Sequence, residues 1–218
     1  TAWPDHHFGS PDSRQHRVKL SPAITAAIFD SHETCCIASS PTFLPLRKCM
    51  TTWIALFRGI NVGGKNKLPM AALRSTLESI GCQTVRTYIQ SGNVVFTWES
   101  TSKAKLARRI AHAVDETFGF LPQVMLLTPD EFRVAVTNNP FPDAAAFPKT
   151  LHFFFLSGTP DDPDLASIAD LATETERFEL IGDVFYLHTP DGFGTSKLAK
   201  GVERKLGVVT TARNHSTI

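Results

Sequence analysis

The order of hydrophobic periodicities after residue 52 restricts most strongly how this 218-residue chain can fold. A continuous apolar run of strand length, Trp53–Phe57, is followed by apolar residues that recur at helical spacing. Two strand-like runs then flank Gly92-Asn93, which suits a hairpin turn. The predicted elements are a strand, a helix, two hairpin strands, a helix and a strand, at 53–57, 70–80, 84–90, 94–98, 102–118 and 123–127.

The same order of elements occurs a second time, with its hairpin turn at Gly182-Asp183. The second set of predicted elements lies at 150–156, 164–171, 176–181, 184–187, 196–206 and 208–213. Because β-α-β-β-α-β is the order of a ferredoxin-like unit, we predict an α+β protein with two ferredoxin-like βαββαβ units and antiparallel sheets. The prediction depends on the order of the elements, since the residues of the two sets do not match.

A helix start joins the two repeats. Thr128 can cap this helix, Pro129 suits its first position, and Glu131 completes a capping box. A proline-rich stretch follows. We therefore predict a first unit at 50–128, a short helix and proline-rich linker at 129–149, and a second unit at 150–218.

The first 49 residues differ from the rest of the chain. They contain five prolines and four of the eight histidines, and they show no sustained periodicity. The sequence starts with Thr1, whereas Met50 stands just before the first strand. We expect residues 1–49 to be disordered or a non-native extension. The alternative is a metal site formed by His6, His7, His16 and His32, but no pair among them has helix or finger spacing, so no metal is predicted.

Charge and cysteine content argue against a strongly basic nucleic-acid-binding protein, a membrane protein and a disulfide-rich secreted protein. The chain has 22 basic and 21 acidic residues, so no overall field attracts it to nucleic acid or to a membrane surface. No apolar run has the length of a membrane-spanning helix, and we predict no membrane partner. The four cysteines match neither a zinc site nor a disulfide framework, which favours a reducing, cytoplasmic location.

The junction between the first strand and the first helix, residues 58–67, combines glycines with cations. Its glycines permit tight turns that expose backbone N–H groups, and three basic side chains stand beside them. This composition suits an anion, and phosphate is the anion that we expect. Gly59, Gly64 and Lys65 have the spacing of a P-loop, but Asn66 replaces the hydroxyl residue that would hold magnesium. The alternative interpretation is a solvated turn whose glycines serve its geometry.

The predicted topology brings separate polar segments to one end of the first sheet. The first two strands of a ferredoxin-like unit run parallel and the third runs antiparallel between them, so the loop 58–67 and the hairpin 90–93 emerge together. In the second unit, Ser196-Lys197 starts a helix whose free N–H groups suit an anion, and the last strand delivers Arg213-Asn214. Ser196 is equally explained as a helix cap, and Arg213-Asn214 as an interdomain salt bridge or a turn.

We therefore predict a basic interdomain cleft that binds a phosphorylated small molecule or a nucleotide, without a cofactor. Five cations would converge there, and the full set of candidate ligand-binding residues is Arg58, Asn61, Gly63, Gly64, Lys65, Lys67, Ser91, Asn93, Ser196, Lys197, Arg213 and Asn214.

Two other functions compete with this prediction. Ferredoxin-like sheets can stack RNA bases, and the first and third strands offer Trp53, Phe57, Phe96 and Trp98. Gly92–Trp98 nevertheless lacks the basic-aromatic RNA signature, and packing against the other unit explains these aromatics better. A phosphoryl-transfer or hydrolytic enzyme is the other alternative, although no histidine has a matched catalytic partner in the sequence.

Two specific segments, 58–67 and 85–96, resemble a bacterial family known as domain of unknown function 1697. The resemblance resumes at 186–188, 191–192, 196–198 and 211–214, and covers roughly residues 52–216. It implies an α+β protein with ferredoxin-like units and no established activity, so it assigns no catalytic residues. Family members generally begin near Met50, and they typically carry Trp at the position of His215 before a further helix.

Overall fold

A computed structural model describes residues 49–88, 90–99 and 101–218. The predictions for residues 1–48, including their four histidines, lie outside this part of the chain. The described elements of the first unit form a four-stranded antiparallel sheet in the order β2-β3-β1-β4. They are β1 (Met50–Arg58), α1 (Met70–Ser79), β2 (Gln83–Tyr88), β3 (Asn93–Glu99), α2 (Lys103–Phe118) and β4 (Gln123–Leu127).

The second unit repeats this topology, with its sheet in the order β6-β7-β5-β8. A helix, α3 (Pro129–Thr137), and a 3-10 helix (Pro142–Ala146) connect the two units. The elements of the second unit are β5 (Leu151–Leu156), α4 (Leu165–Ala169), β6 (Arg177–Ile181), β7 (Val184–His188), α5 (Lys197–Leu206) and β8 (Thr210–Asn214). The predicted α+β fold with two ferredoxin-like units is thus confirmed.

The ends of the helices show which local sequence signals were sufficient to predict helix boundaries. Thr128 accepts a hydrogen bond from the backbone N–H of Glu131, whose side chain accepts from the Thr128 N–H, so the capping box is confirmed. Gly119 and Gly207 end α2 and α5 in the left-handed conformation. α4 is shorter than predicted at both ends, because Asp164 caps the helix instead of lying within it and Asp170 is its C-cap.

The two sheets pack face to face, and each carries its own helices on its outer face. The outer side of β1 packs against α1 and α2, and the outer side of β5 packs against α4 and α5. The inner faces meet in a cluster that we call the shared core, to which β1 contributes Ile54 and Leu56 and β5 contributes Phe153 and Phe155.

The connecting segment is part of the shared core. Phe132 of α3 stacks on Phe155, with ring centroids 6.0 Å apart, and Phe141 and Ala144 are buried in the same cluster. The hydroxyl of Tyr186 on β7 donates a 2.6 Å hydrogen bond to the carbonyl of Ala135. This segment therefore fixes the second sheet against the first. No helix within the described ranges has the length and apolar content that crossing a membrane requires.

Candidate functional site

The loop after β1 and the β2–β3 hairpin lie together, as the topology predicted. The backbone N–H of Phe57 donates to the carbonyl of Gly92 at 2.9 Å, and the Asn61 amide donates to the carbonyl of Gln90 at 3.2 Å. Gly92 has φ +74°, and a Cβ atom there would lie 2.5 Å from Cδ1 of Ile60. Glycine is therefore required at this position by both conformation and space.

Asparagines hold the loop in shape. The side chain of Asn61 donates to the carbonyl of Leu68 at 3.0 Å and accepts from its N–H at 2.8 Å, while Asn66 donates to the carbonyl of Gly59. Both asparagines have positive φ values, as do Gly59, Gly63 and Gly64. Asn61, predicted as a ligand residue, thus has both ends of its amide engaged within the protein.

The loop is not a P-loop. The sheet that carries the loop is antiparallel. In addition, Lys67, Leu68 and Pro69 lie between the glycine-containing part of the loop and the start of α1 at Met70. A P-loop places its glycine turn directly on the N-terminus of a helix. The side chains of Lys65 and Lys67 are exposed, and Gly63 and Gly64 are exposed beside them.

Arg213 joins the two units as a buried cation. Its Nε donates to Oδ1 of Asn93 at 2.6 Å, and its Nη2 donates to the carbonyl of Phe57 at 2.8 Å. Nη1 donates to the hydroxyl of Thr211 and to the carbonyl of Ala212. These acceptors are all neutral, and burial lowers the pKa of Arg213 to about 10, so the guanidinium remains charged at neutral pH.

Asn93 completes this interdomain network, which we call the buried junction. It is 3% exposed, and its Nδ2 donates to the carbonyl of Thr217 at 3.0 Å. Predicted as ligand residues, Asn93 and Arg213 are therefore hydrogen-bonded to each other. The Ser91 hydroxyl beside them is buried and has no hydrogen-bond partner within the described part of the chain.

The remaining candidates lie at the start of α5 and the end of β8. Ser196 is buried and caps the helix, because its Oγ accepts from the Ala199 N–H at 2.9 Å. Lys197 is exposed at the first helical position. The side chain of Asn214 accepts from the Ser216 hydroxyl. Ser196 thus has the structural role that the sequence analysis gave as its alternative.

A groove of about 740 Å³ lies between α5 and the loop that follows β1, and we call it the basic groove. Arg58 and Arg213 line it, as do Gly59 and Val62 of the loop. Lys65, Lys67 and Lys197 do not. The structure thus brings two of the five predicted cations to one groove and leaves three outside it.

Two cations that the sequence analysis did not name line the groove instead. Lys200 and Arg204, one turn apart on α5, are exposed and form no ion pair within the residues that the structure describes. Together with Ala199, Glu203 and Gly207, they form one face of the helix. Their i, i+4 spacing was readable from the sequence, but the same spacing is common on solvated helix faces.

Glu203 is the one carboxylate among the groove-lining residues. It forms a 3.0 Å ion pair with Nη2 of Arg58, and it accepts hydrogen bonds from the N–H and hydroxyl of Thr210 at 3.2 and 3.1 Å. Nη1 of Arg58 donates to Oε1 of Gln123. With four cations and one carboxylate, the lining has a formal charge of +3.

The sheet aromatics do not form an open stacking surface. Trp53, Phe57 and Phe96 are at most 4% exposed and pack under α1 and α2. Trp98 packs against the same cluster, with the guanidinium of Arg109 5.1 Å from its ring centre. The prediction that these residues pack against the other unit is wrong, because they point to the opposite face of the sheet. Within the described residues, no three His, Cys, Asp or Glu side chains cluster as a metal site would require.

Comparisons with known proteins agree with the resemblance seen in the sequence. A model of the family described as "Protein of unknown function (DUF1697)" matches residues 50–186, and the chain belongs to this family. The chain is also similar to the solved structure of the conserved bacterial protein SP0830 from Streptococcus pneumoniae. The two are 29% identical with a TM-score of 0.60, over 77% of this chain and 94% of that one. No curated protein matches the chain.

Proposed function

We propose that this member of the family binds a phosphate-bearing small molecule or nucleotide in the basic groove. The observation that carries the proposal is the excess of cations there: Lys200 and Arg204 have no carboxylate partner within the described residues, and the groove holds one carboxylate in total. A concave surface with unpaired positive charge favours an anion, because walls of low dielectric concentrate the field.

The chemistry of the lining favours a phosphate. Arginine presents a planar fork of N–H donors that matches phosphate oxygens, and lysine adds a compact charge. Lys200 and Arg204 project from a regular helix, so their Cα atoms are fixed relative to each other. Arg58 is already oriented by Gln123 and Glu203, and its remaining N–H groups are available to a third partner.

The groove supports binding more than catalysis. Its lining residues, all within the described ranges, include no cysteine, serine or histidine, and Glu203 is engaged by Arg58 and Thr210. The other groups able to act as a nucleophile or base are also poorly placed, because the Thr210 and Thr211 hydroxyls are engaged by Glu203 and Arg213, and Lys200 is exposed, whereas a reactive lysine is typically desolvated. We expect this binding to occur in the cytoplasm, since Cys82 is a buried free thiol and Cys49 is an exposed one.

Isothermal titration with pyrophosphate tests the proposal. The double variant Lys200→Gln/Arg204→Gln should raise the dissociation constant about tenfold or more, since a charged hydrogen bond contributes about 1.5–3 kcal/mol. Both side chains are exposed, so the variant should fold normally. A panel of nucleotides and sugar phosphates then identifies the preferred ligand.

Lys105→Gln is the matched control. Lys105 is an exposed helical lysine that does not line the groove, so its removal gives the same change in charge as one of the test substitutions. Its pyrophosphate affinity should stay within twofold of the wild type. Absence of pyrophosphate binding, or equal losses in the control and the double variant, would reject the basic groove as the site.

A further inference from the structure

A second cleft, of about 730 Å³, adjoins the basic groove and has mostly apolar walls. We call it the apolar cleft. It is bounded by α2, the edge strand β4, α3 and the ends of β5, β7 and β8. Four residues line both cavities: Arg58, Val209, Thr210 and Thr211. The two cavities therefore adjoin at Arg58, whose side chain lies between Gln123 and Glu203.

Small side chains line one wall of the apolar cleft. The helix α2 presents Ala104, Ala107 and Ala111 to it, and the two long side chains of α2 that also line it, Lys103 and Arg108, are exposed. At the rim, Leu121 is 60% exposed and Val134 is 55% exposed. Large apolar side chains exposed together around a concavity are typical of a binding site.

Most polar groups of the apolar cleft already have partners in the protein. Lys103 forms an ion pair with Glu131, Nε of Arg108 donates to the Ala104 carbonyl at 3.3 Å, and Asp183 accepts from the Thr159 hydroxyl. The Tyr186 hydroxyl donates to the Ala135 carbonyl, and Thr211 accepts from Arg213. A ligand group in this cleft therefore finds chiefly apolar surface, which favours hydrocarbon over a sugar or another highly hydroxylated group.

Arg58 links the two environments. Its Nη2 contacts Glu203 of the basic groove, whereas its Nη1 contacts Gln123 of the apolar cleft. An anionic group beside Arg58 would lie within the field of Lys200 and Arg204, and an apolar group attached to it would extend along β4. One molecule with a charged head and an apolar body complements both cavities.

We propose that the ligand is a phosphate monoester of an apolar alcohol, with its phosphate in the basic groove and its hydrocarbon body in the apolar cleft. This inference rests on the proposed function for the position of the phosphate, and it adds the chemical class of the ligand. It excludes free nucleotides as the preferred ligand, because their ribose and base would place polar groups against apolar walls.

Titration with a series of n-alkyl phosphates, ethyl, butyl and octyl, tests the class of ligand, at concentrations where each is monomeric. Octyl phosphate should bind at least about tenfold more tightly than ethyl phosphate, since each additional buried methylene strengthens binding. Equal affinities for ethyl and octyl phosphate would overturn the inference. AMP binding more tightly than octyl phosphate would overturn it as well.

Two variants locate the hydrocarbon. Ala104→Trp should fill the apolar cleft from an exposed position and abolish the advantage of octyl over ethyl phosphate. Val134→Glu, also at an exposed position, should reduce the same advantage without threatening the fold. Ala71→Trp is the matched control, because Ala71 is likewise the exposed second residue of a helix but lines neither cavity.

Pyrophosphate separates this inference from the proposed function. Ala104→Trp should leave the pyrophosphate dissociation constant within twofold, whereas Lys200→Gln/Arg204→Gln should weaken both pyrophosphate and octyl phosphate. Pyrophosphate binding without any dependence on alkyl chain length would reject the apolar cleft alone. Octyl phosphate binding that is insensitive to the double variant would reject the phosphate position. Binding of the protein to vesicles that contain phosphatidic acid is measured as well. Binding to the vesicles indicates that the ligand is a membrane lipid, and absence of binding indicates a free metabolite.

Discussion

The buried junction and the basic groove both contain basic side chains, but the one in the junction is buried and hydrogen-bonded, whereas two in the groove are exposed. In the junction, Arg213 is 9% exposed and all of its acceptors are neutral groups of the protein. In the groove, Lys200 and Arg204 are exposed and have no ion-pair partner among the described residues. The first cation holds the two units together, and the second pair is available to a ligand.

This difference shows that positive charge near a cleft is not by itself a binding site. A buried guanidinium whose donors are already satisfied has little to offer a ligand, and moving it would leave the carbonyl of Phe57 and Oδ1 of Asn93 without a donor. Exposed cations lose only water when an anion arrives. Mutations should therefore separate the two regions by their effects on folding and on binding.

Replacement of Arg213 should have the largest effect on stability. Arg213→Ala leaves several buried acceptors without donors, and we expect a loss of about 4 kcal/mol in the free energy of unfolding. Urea denaturation measures this loss. Arg204→Ala, at an exposed position, should change stability by less than about 0.5 kcal/mol. Similar losses for the two variants would remove the distinction between the regions.

Two glycines distinguish the loop–hairpin contact from the exposed part of the loop. Gly92→Ala should lower stability by about 3 kcal/mol, because positive φ is combined with a clash against Ile60 and Phe57. Gly64→Ala also has positive φ, but its Cβ would meet nothing within 4 Å, so about 1 kcal/mol is expected. Thermal or urea unfolding of both variants checks the ranking, which a larger loss in Gly64→Ala would reverse.

Mild acid should weaken the second unit through His152. This side chain is 6% exposed on β5 and packs against the tilted ring of Phe193, and burial lowers its pKa from 6.5 to about 4. The unfolded chain therefore binds more protons between these values, so stability falls as the pH drops from 6.5 towards 4. Burial also lowers the pKa of His188 and His215, which adds in the same direction.

The pH effect of His152 can be isolated by mutation. At pH 5 the free energy of unfolding should be about 2 kcal/mol lower than at pH 7 on account of this residue. The pKa of Asp164 is lowered to about 2 by its hydrogen bonds to Ser167, so its contribution is lost only at pH values below this range. His152→Gln should make the profile less steep between pH 7 and pH 5, leaving the contributions of His188 and His215. An unchanged profile would show that His152 does not cause the acid sensitivity.

The smallest effect is expected at the contact between α3 and β7. Tyr186→Phe removes the buried hydrogen bond to the Ala135 carbonyl and should cost about 1–2 kcal/mol. Pyrophosphate affinity should not change, because neither residue lines the basic groove. A combined change in stability and in pyrophosphate binding would show that the shared core and the groove are coupled.

The sequence was sufficient for the fold because its signals are local. The capping box at Thr128, the left-handed glycines at 119 and 207, and the alternating periodicities each act within one element. The candidate site was harder to predict because it depends on distant contacts. The acceptors of Arg213 include groups 120 and 156 residues away, so its burial had no local signal. Lys200 and Arg204 matched the pattern of a solvated helix face, and only the adjoining loop makes them part of a groove.

The division between structural and available cations can be tested most directly by an NMR titration of the labelled protein with pyrophosphate. Backbone amide shifts should change at the groove-lining residues Gly59, Val62, Ala199, Lys200, Glu203 and Arg204. The amides of Lys65, Lys67 and Lys197 should change little, since these residues lie outside it. Shifts confined to those three lysines, or no shifts at all, would contradict the account.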